Sequence, residues 1–153
     1  KMVEVANFKK DKKGYGYRDI TFIKGDAEDL GFGSDSFDAL TISFGFRNLG
    51  NYDKGLSEFF RVLKSGGKVG ILEFARPSHR LFAPLFRFYF HYIIPVIGSL
   101  LSRKDAFLYL PESVDHFLDR DSVCEKMNNV GFTDVLYTSH TFGTVVIYTG
   151  IKP

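Results

Sequence analysis

The residues most capable of chemistry stand at the end of an apolar run. Phe37-Asp38-Ala39-Leu40-Thr41-Ile42 leads into Ser43-Phe44-Gly45-Phe46-Arg47-Asn48. In an open parallel sheet, ligands bind just outside the carboxyl ends of strands. A strand finishing this way puts a hydroxyl, a guanidinium, a carboxamide and a pliant backbone where a cofactor and a reacting group would meet. A buried strand followed by an arbitrary turn explains the same residues. A second candidate, Gly25-Asp26-Ala27-Glu28, closes a short β-like run at 19–24. Asp26 there can accept a hydrogen bond from an adenine amino group while the adjacent backbone N–H donates to a ring nitrogen. An aspartate that merely closes its own turn is the other reading.

The elements that must hold these residues follow from periodicity. Residues 2–10 read as the end of an amphipathic helix, 11–18 as an exposed turn, 19–24 as a short strand and 31–36 as a loop rich in breakers. After the strand at 37–43, Asn51 or Asp53 can cap a helix whose Leu56, Phe59, Phe60 and Leu63 form one apolar stripe. Ser65-Gly66-Gly67 is expected to stop that helix, and 68–74 is a second buried strand. Strand, helix and strand at this spacing predict a parallel α/β sheet. Pro77, Pro84, Pro95 and Pro111 then punctuate a greasy helical region. Asp121 or Ser122 is expected to cap a helix carrying Val123, Met127 and Val130. Two β-rich runs, 132–139 and 144–150, joined by His140-Thr141-Phe142-Gly143, predict an antiparallel hairpin at a sheet edge.

Size and composition bound the answer further. With 153 residues, 44% hydrophobic and 25% charged, the chain is long enough for one domain with a core. A net charge of +2 with mixed signs gives no electrostatic case for nucleic acid. The single cysteine, Cys124, excludes an internal disulfide, and His79, His116 and His140 make no metal-ligand spacing with a carboxylate cluster, so no metal is expected. The start Lys1-Met2-Val3-Glu4 reads as part-way along a helix rather than as a signal peptide.

Taken together, the chain resembles the ubiquinone/menaquinone biosynthesis C-methyltransferases. Gly25-Asp26-Ala27-Glu28, the stretch 37–48, the stretch 61–74, Pro95-Val96-Ile97-Gly98, Tyr109-Leu110-Pro111-Glu112-Ser113, Gly131-Phe132 and Thr141-Phe142-Gly143 carry the likeness, in the family's order. Ser65, Ala75 and Leu118 depart from the family, which usually has proline, serine and proline there. The resemblance implies an α/β fold of the class I methyltransferase, Rossmann-like type. Its sheet would be mostly parallel with an antiparallel C-terminal hairpin, in a single domain with a helical lid or insertion at about 76–118. It implies S-adenosyl-L-methionine as cofactor, with Asp26 and Ala27 at the adenine and Ser43 as a further contact. It also implies methyl transfer to a ring carbon of a polyprenylated quinol, with Arg47 and Asn48 as catalytic residues at the polar end of the ring pocket.

Chemistry constrains those roles. A guanidinium stays protonated, so Arg47 is expected to stabilise a developing phenolate rather than to act as base. His91 and Tyr109 are candidates on the substrate side, the histidine because it titrates near neutrality; a polar break in an apolar helix and a packing aromatic are the other readings. The aromatic block at 81–101 is interrupted by Pro84, Arg87, His91 and Pro95, which argues against a membrane span. A lid lining a channel for the prenyl tail is the expectation, either with an outer face touching the membrane or packed onto the domain with no lipid contact, giving a cytoplasmic or membrane-associated protein. A methyltransferase for another aromatic or lipid-like molecule, or a non-catalytic assembly partner, are the alternatives. A glycine-rich loop after a first strand and an acidic residue after a second are both missing from the sequence, as if an N-terminal βαβ unit were absent. Either a longer protein or another copy, as a homo-oligomer, would complete the sheet. The chain alone is therefore expected to bind S-adenosylmethionine weakly or not at all, and calorimetric binding at micromolar affinity would overturn that expectation.

Overall fold

The computed structural model describes residues 2–12, 19–77, 84, 88, 92–93 and 113–153. Along the chain run α1 (Met2–Lys12), β1 (Phe37–Ser43), α2 (Tyr52–Val62), β2 (Leu63–Phe74), α3 (Arg120–Val130), β3 (Thr133–His140) and β4 (Val145–Ile151). The four strands form one sheet in the order β1-β2-β4-β3. β1 and β2 are parallel, and β4 runs antiparallel to both of its neighbours. The expected parallel unit and edge hairpin are therefore both present.

Hydrophobic periodicity decides where the core sits. Val69 and Ile71 of β2, and Val146 and Tyr148 of β4, are at most 2% exposed and pack with Leu56 and Phe59 of α2 and Val123 and Met127 of α3. The intervening Leu72 and Ile147 are half-buried and Thr149 is exposed. This alternation is the period of two that a half-covered sheet imposes. At the far edge of the sheet β1 has a single neighbour, and Ile20, Phe22 and Ile23 remain exposed. Residues 19–24, expected as a strand, take no place in the sheet. A strand exists only where a neighbour accepts its hydrogen bonds, and β1 is not beside them.

Two boundaries differ from expectation for local reasons. Asn51 caps α2 as expected, its side chain accepting the Lys54 N–H at 3.0 Å. The α3 cap is Asp119, two residues earlier than the nearer candidate, accepting the Ser122 N–H at 2.8 Å. An N-cap side chain reaches the third residue beyond itself, and Asp119 is the acceptor at that offset. α2 ends at Val62 rather than at the glycines, because Leu63 is already extended and fully buried. The glycines instead form an irregularity within β2, between the pairs Phe37–Leu63 and Ala39–Lys68, with Gly66 at φ +77°. Lys152 clasps this irregularity. Gly66 N–H donates to its carbonyl at 2.8 Å, its own N–H donates to Gly67 O at 2.9 Å, and its ammonium donates to Leu63 O and to Asp35.

A carboxylate–guanidinium pair pins the loop before β1 to α2. Glu58 accepts from Arg61 Nε and Nη2, each at 2.7 Å, and from the Leu30 N–H, while Arg61 also donates to the carbonyls of Leu30 and Phe32. Hydrogen bonding from Arg61 holds the Glu58 carboxyl down at about 2 against an ordinary value of 4.5. A carboxylate depressed on folding contributes stability that is complete above its unfolded pKa and is lost as pH falls through the folded one. Glu58→Gln is therefore expected to lower the melting temperature at neutral pH and to flatten its fall between pH 4.5 and about 2. Circular dichroism melts across that range check it, and an unchanged slope would contradict it.

Candidate active site

The polar end of β1 is organised by an apolar residue. Phe46 is fully buried, with ring centroids 5.2 Å from Tyr52, 6.4 Å from Phe59 and 6.2 Å from Phe117. It plugs the short 3₁₀ turn Phe46–Asn48 into the core, so the two residues that follow it leave from a fixed point. Tyr52 strengthens the hold by donating its hydroxyl to Arg47 O at 3.2 Å. Just upstream, Phe44 sits at φ +54°, with its N–H on Leu72 O at 2.8 Å and its ring 4.5 Å from that of Phe74. A bulky residue in the left-handed region is costly and persists only where its surroundings over-determine it. Here β2 and Phe74 supply that constraint. Ser43 and Asn48 are exposed on either side of this turn.

Arg47 lies at the centre of the arrangement. Its Nη1 donates to Glu73 Oε1 at 2.8 Å and to Phe44 O at 2.8 Å, its Nε donates to Ser113 Oγ at 3.2 Å, and its backbone N–H donates to Glu73 Oε2 at 3.1 Å. The guanidinium carbon stands 5.6 Å from the Phe74 ring centroid, within cation–π range. The Arg47 side chain is 8% exposed and that of Glu73 is 0%. Among the described residues none accepts a hydrogen bond from Nη2.

Beyond closing the 61–74 stretch that carries the family likeness, Glu73 has a signal of its own in the sequence. Val69, Ile71 and Glu73 share the inward face of β2, so a carboxylate occupies a position where the strand period calls for an apolar side chain. Burying a charge is expensive unless it is paired and hydrogen-bonded. A charged residue in such a register therefore implies a cationic partner on a neighbouring element, which is Arg47.

The other candidates fall into place around this pair. Asp26 is exposed, and its Oδ1 accepts the Glu28 N–H at 2.9 Å, closing its own turn. That is the local role the turn reading anticipates, and it leaves the carboxylate at the surface beside half-buried Ala27. Glu28 reaches across to accept the N–H groups of Gly50 at 2.6 Å and Asn51 at 3.0 Å. The 25–28 loop is thereby tied to the chain that leaves Asn48, bringing both candidate groups to one edge of the sheet. Ser113 brings in the end of the expected insertion through Arg47. His91 and Tyr109 lie outside the described residues. Among the described residues no three histidine, cysteine or carboxylate groups cluster to hold a metal.

Breaking the buried pair from one side should be costly. Arg47→Met strands a desolvated carboxylate and is expected to destabilise the protein by about 3–5 kcal/mol, whereas adding Glu73→Leu should recover much of that loss. Urea titrations of the two variants check it. A double variant no more stable than the single one would contradict the reading of Glu73 as a charge held by Arg47.

Comparison with known proteins agrees with this architecture. The ubiE/COQ5 methyltransferase family matches residues 1–152. The ubiquinone/menaquinone biosynthesis C-methyltransferase UbiE of Geotalea daltonii is 43% identical over 151 residues, covering 99% of this chain and 64% of the relative. The demethylmenaquinone methyltransferase of Thermus thermophilus is 39% identical, covering 99% of this chain and 68% of that protein. The chain thus spans about two thirds of the length of these relatives. Among solved structures, the [4+2]-cyclase SpnF superposes with a TM-score of 0.70 at 18% identity, over 99% of this chain and 63% of that one. A SAM-dependent methyltransferase from Aquifex aeolicus gives 0.65 at 15% identity, over 99% and 64%. These likenesses show the Rossmann-like class I methyltransferase fold. With its parallel β1–α2–β2 unit, its antiparallel edge hairpin and a match along nearly its whole length, the chain belongs to the ubiE/COQ5 methyltransferase family.

Proposed function

We propose that this chain carries the substrate-facing part, and part of the cofactor-facing part, of an enzyme that uses S-adenosylmethionine to methylate a ring carbon of a polyprenylated quinol. The single observation that carries the reading is the Arg47 guanidinium, fixed at the carboxyl end of β1 in a chain of this family. Ubiquinone or menaquinone biosynthesis is the setting that the names of its relatives supply.

The residues present fit the adenosyl end of the cofactor. Asp26 offers an exposed carboxylate on a rigid turn, Ala27 a backbone N–H beside it, and Ser43 a hydroxyl at the end of β1. When bound, S-adenosylmethionine supplies the electrophilic methyl group. The work of the chain is to orient the ring and to make its carbon nucleophilic, which requires loss of a hydroxyl proton. Arg47 does not take that proton, which passes to a water that the guanidinium orients. Through Nη2 it donates to the ring oxygen as negative charge develops there, and Asn48 assists from the next position. On the substrate side we assign His91 and Tyr109, in the stretch 76–118 that we propose as a lid over the tail channel with an outer face toward the membrane, most of it outside the described residues. Among the described residues no helix is long and apolar enough to cross a membrane.

In the full-length protein, Arg47→Gln is expected to lower turnover by about two orders of magnitude, as loss of a preorganised donor to a developing oxyanion does. Calorimetric affinity for S-adenosylmethionine should stay within a few-fold. Unchanged turnover with normal cofactor binding would remove Arg47 from the reaction.

A further inference from the structure

We infer that Glu73 is the positioning residue of this site, making Arg47 act as an oriented hydrogen-bond donor rather than as a free positive charge. The inference rests on the role proposed above for Arg47. Three donors converge on the buried carboxylate: Arg47 N–H on Oε2 at 3.1 Å, and Arg47 Nη1 at 2.8 Å and Phe74 N–H at 2.9 Å on Oε1. Glu73 therefore grips the same arginine by its main chain and by its side chain. The main-chain bond fixes the turn Phe46–Asn48, and the side-chain bond fixes the rotamer. Ser113 on Nε and the carbonyl of Phe44 on Nη1 fix the plane of the fork. Of the three nitrogens, only Nη2 has no acceptor among the described residues, so the grip determines which N–H pair is left to donate.

The charge balance sharpens the assignment. Glu73 and Arg47 together are neutral, so the site offers a developing phenolate little net positive charge. What it offers is a donor whose direction is set before the substrate arrives. Such preorganised donors stabilise developing charge without reorganising during the reaction. Ser113, from a segment outside both strands, supplies the acceptor for Nε, so a third part of the chain also sets the orientation of the donor.

The two mechanisms predict opposite signs for one substitution. Glu73→Gln makes the site one unit more positive while removing an acceptor from Arg47. If charge alone stabilised the phenolate, turnover would hold or rise. Positioning predicts a fall of about tenfold to a hundredfold, with KM for both substrates within twofold. It also predicts that Glu73→Gln adds nothing once Arg47→Lys has removed the planar fork, because the two residues then act as one unit. These measurements are made on the full-length protein, alongside thermal melts. Turnover at or above wild type in Glu73→Gln, or full additivity with Arg47→Lys, would overturn the inference. Should Glu73→Gln fail to fold, the unaltered protein still decides. The two Arg47 Nη nitrogens should give separate nitrogen-15 NMR resonances, because Glu73 and the Phe44 carbonyl hold Nη1 against rotation, and a single averaged resonance as in an exposed arginine would overturn it. Wild-type turnover in Arg47→Gln would instead strike at the role of Arg47, while the NMR result reports separately on the hold of Glu73.

Discussion

The buried ion pair between Glu73 and Arg47 is the interaction around which this end of the sheet is arranged. A carboxylate with no exposed surface must be matched by donors, and two of its three come from Arg47, just beyond the neighbouring parallel strand. The pair therefore joins the ends of β1 and β2 more specifically than their ladder alone does. It also explains why the chain tolerates Phe44 in a left-handed conformation: the bend brings the Arg47 guanidinium over the Phe74 ring of β2, against which the Phe44 ring is tilted. Removing either charge leaves the other in a medium that cannot solvate it.

Around that centre the polar groups divide the labour. Glu28 and Glu58 are both partly shielded carboxylates whose oxygens take backbone N–H groups from another segment. Each fastens the loop before β1 to the helix after it, Glu28 at the start of α2 and Glu58 one turn from its end. The loop carrying Asp26 is in consequence held by charge-assisted bonds rather than by a ladder. Such bonds give geometric definition to a segment that buries little apolar surface.

Much of this was legible in the residues. The periodicity of Leu56, Phe59 and Phe60, the Asn51 cap and the two β-rich runs at the end predict the helix, the parallel pair and the hairpin, because each depends on local spacing. The strand expected at 19–24 does not form because strandedness is a property of pairs, and no neighbour among the described residues accepts its hydrogen bonds. The α2 boundary failed because burial of Leu63 outweighed the glycine signal downstream. In the site, the motif ending at Asn48 drew attention to Arg47, but it did not reveal that Phe46 is the anchor or that the guanidinium is already engaged. Glu73 stood in plain view as a charge in an inward register, yet its meaning depended on a residue 26 positions away.

The clasp made by Lys152 has a consequence of its own. Its main-chain bonds and its ammonium secure the irregular start of β2, while Glu73 and Arg47 stand at the finish of the same strand. One side chain and one peptide group thus tie the α2–β2 junction, the loop at Asp35 and the strand beside β2 into a single knot. The two ends of β2 are thereby fastened by separate sets of bonds, so a disturbance at the junction is absorbed by β4 before it reaches the polar strand end.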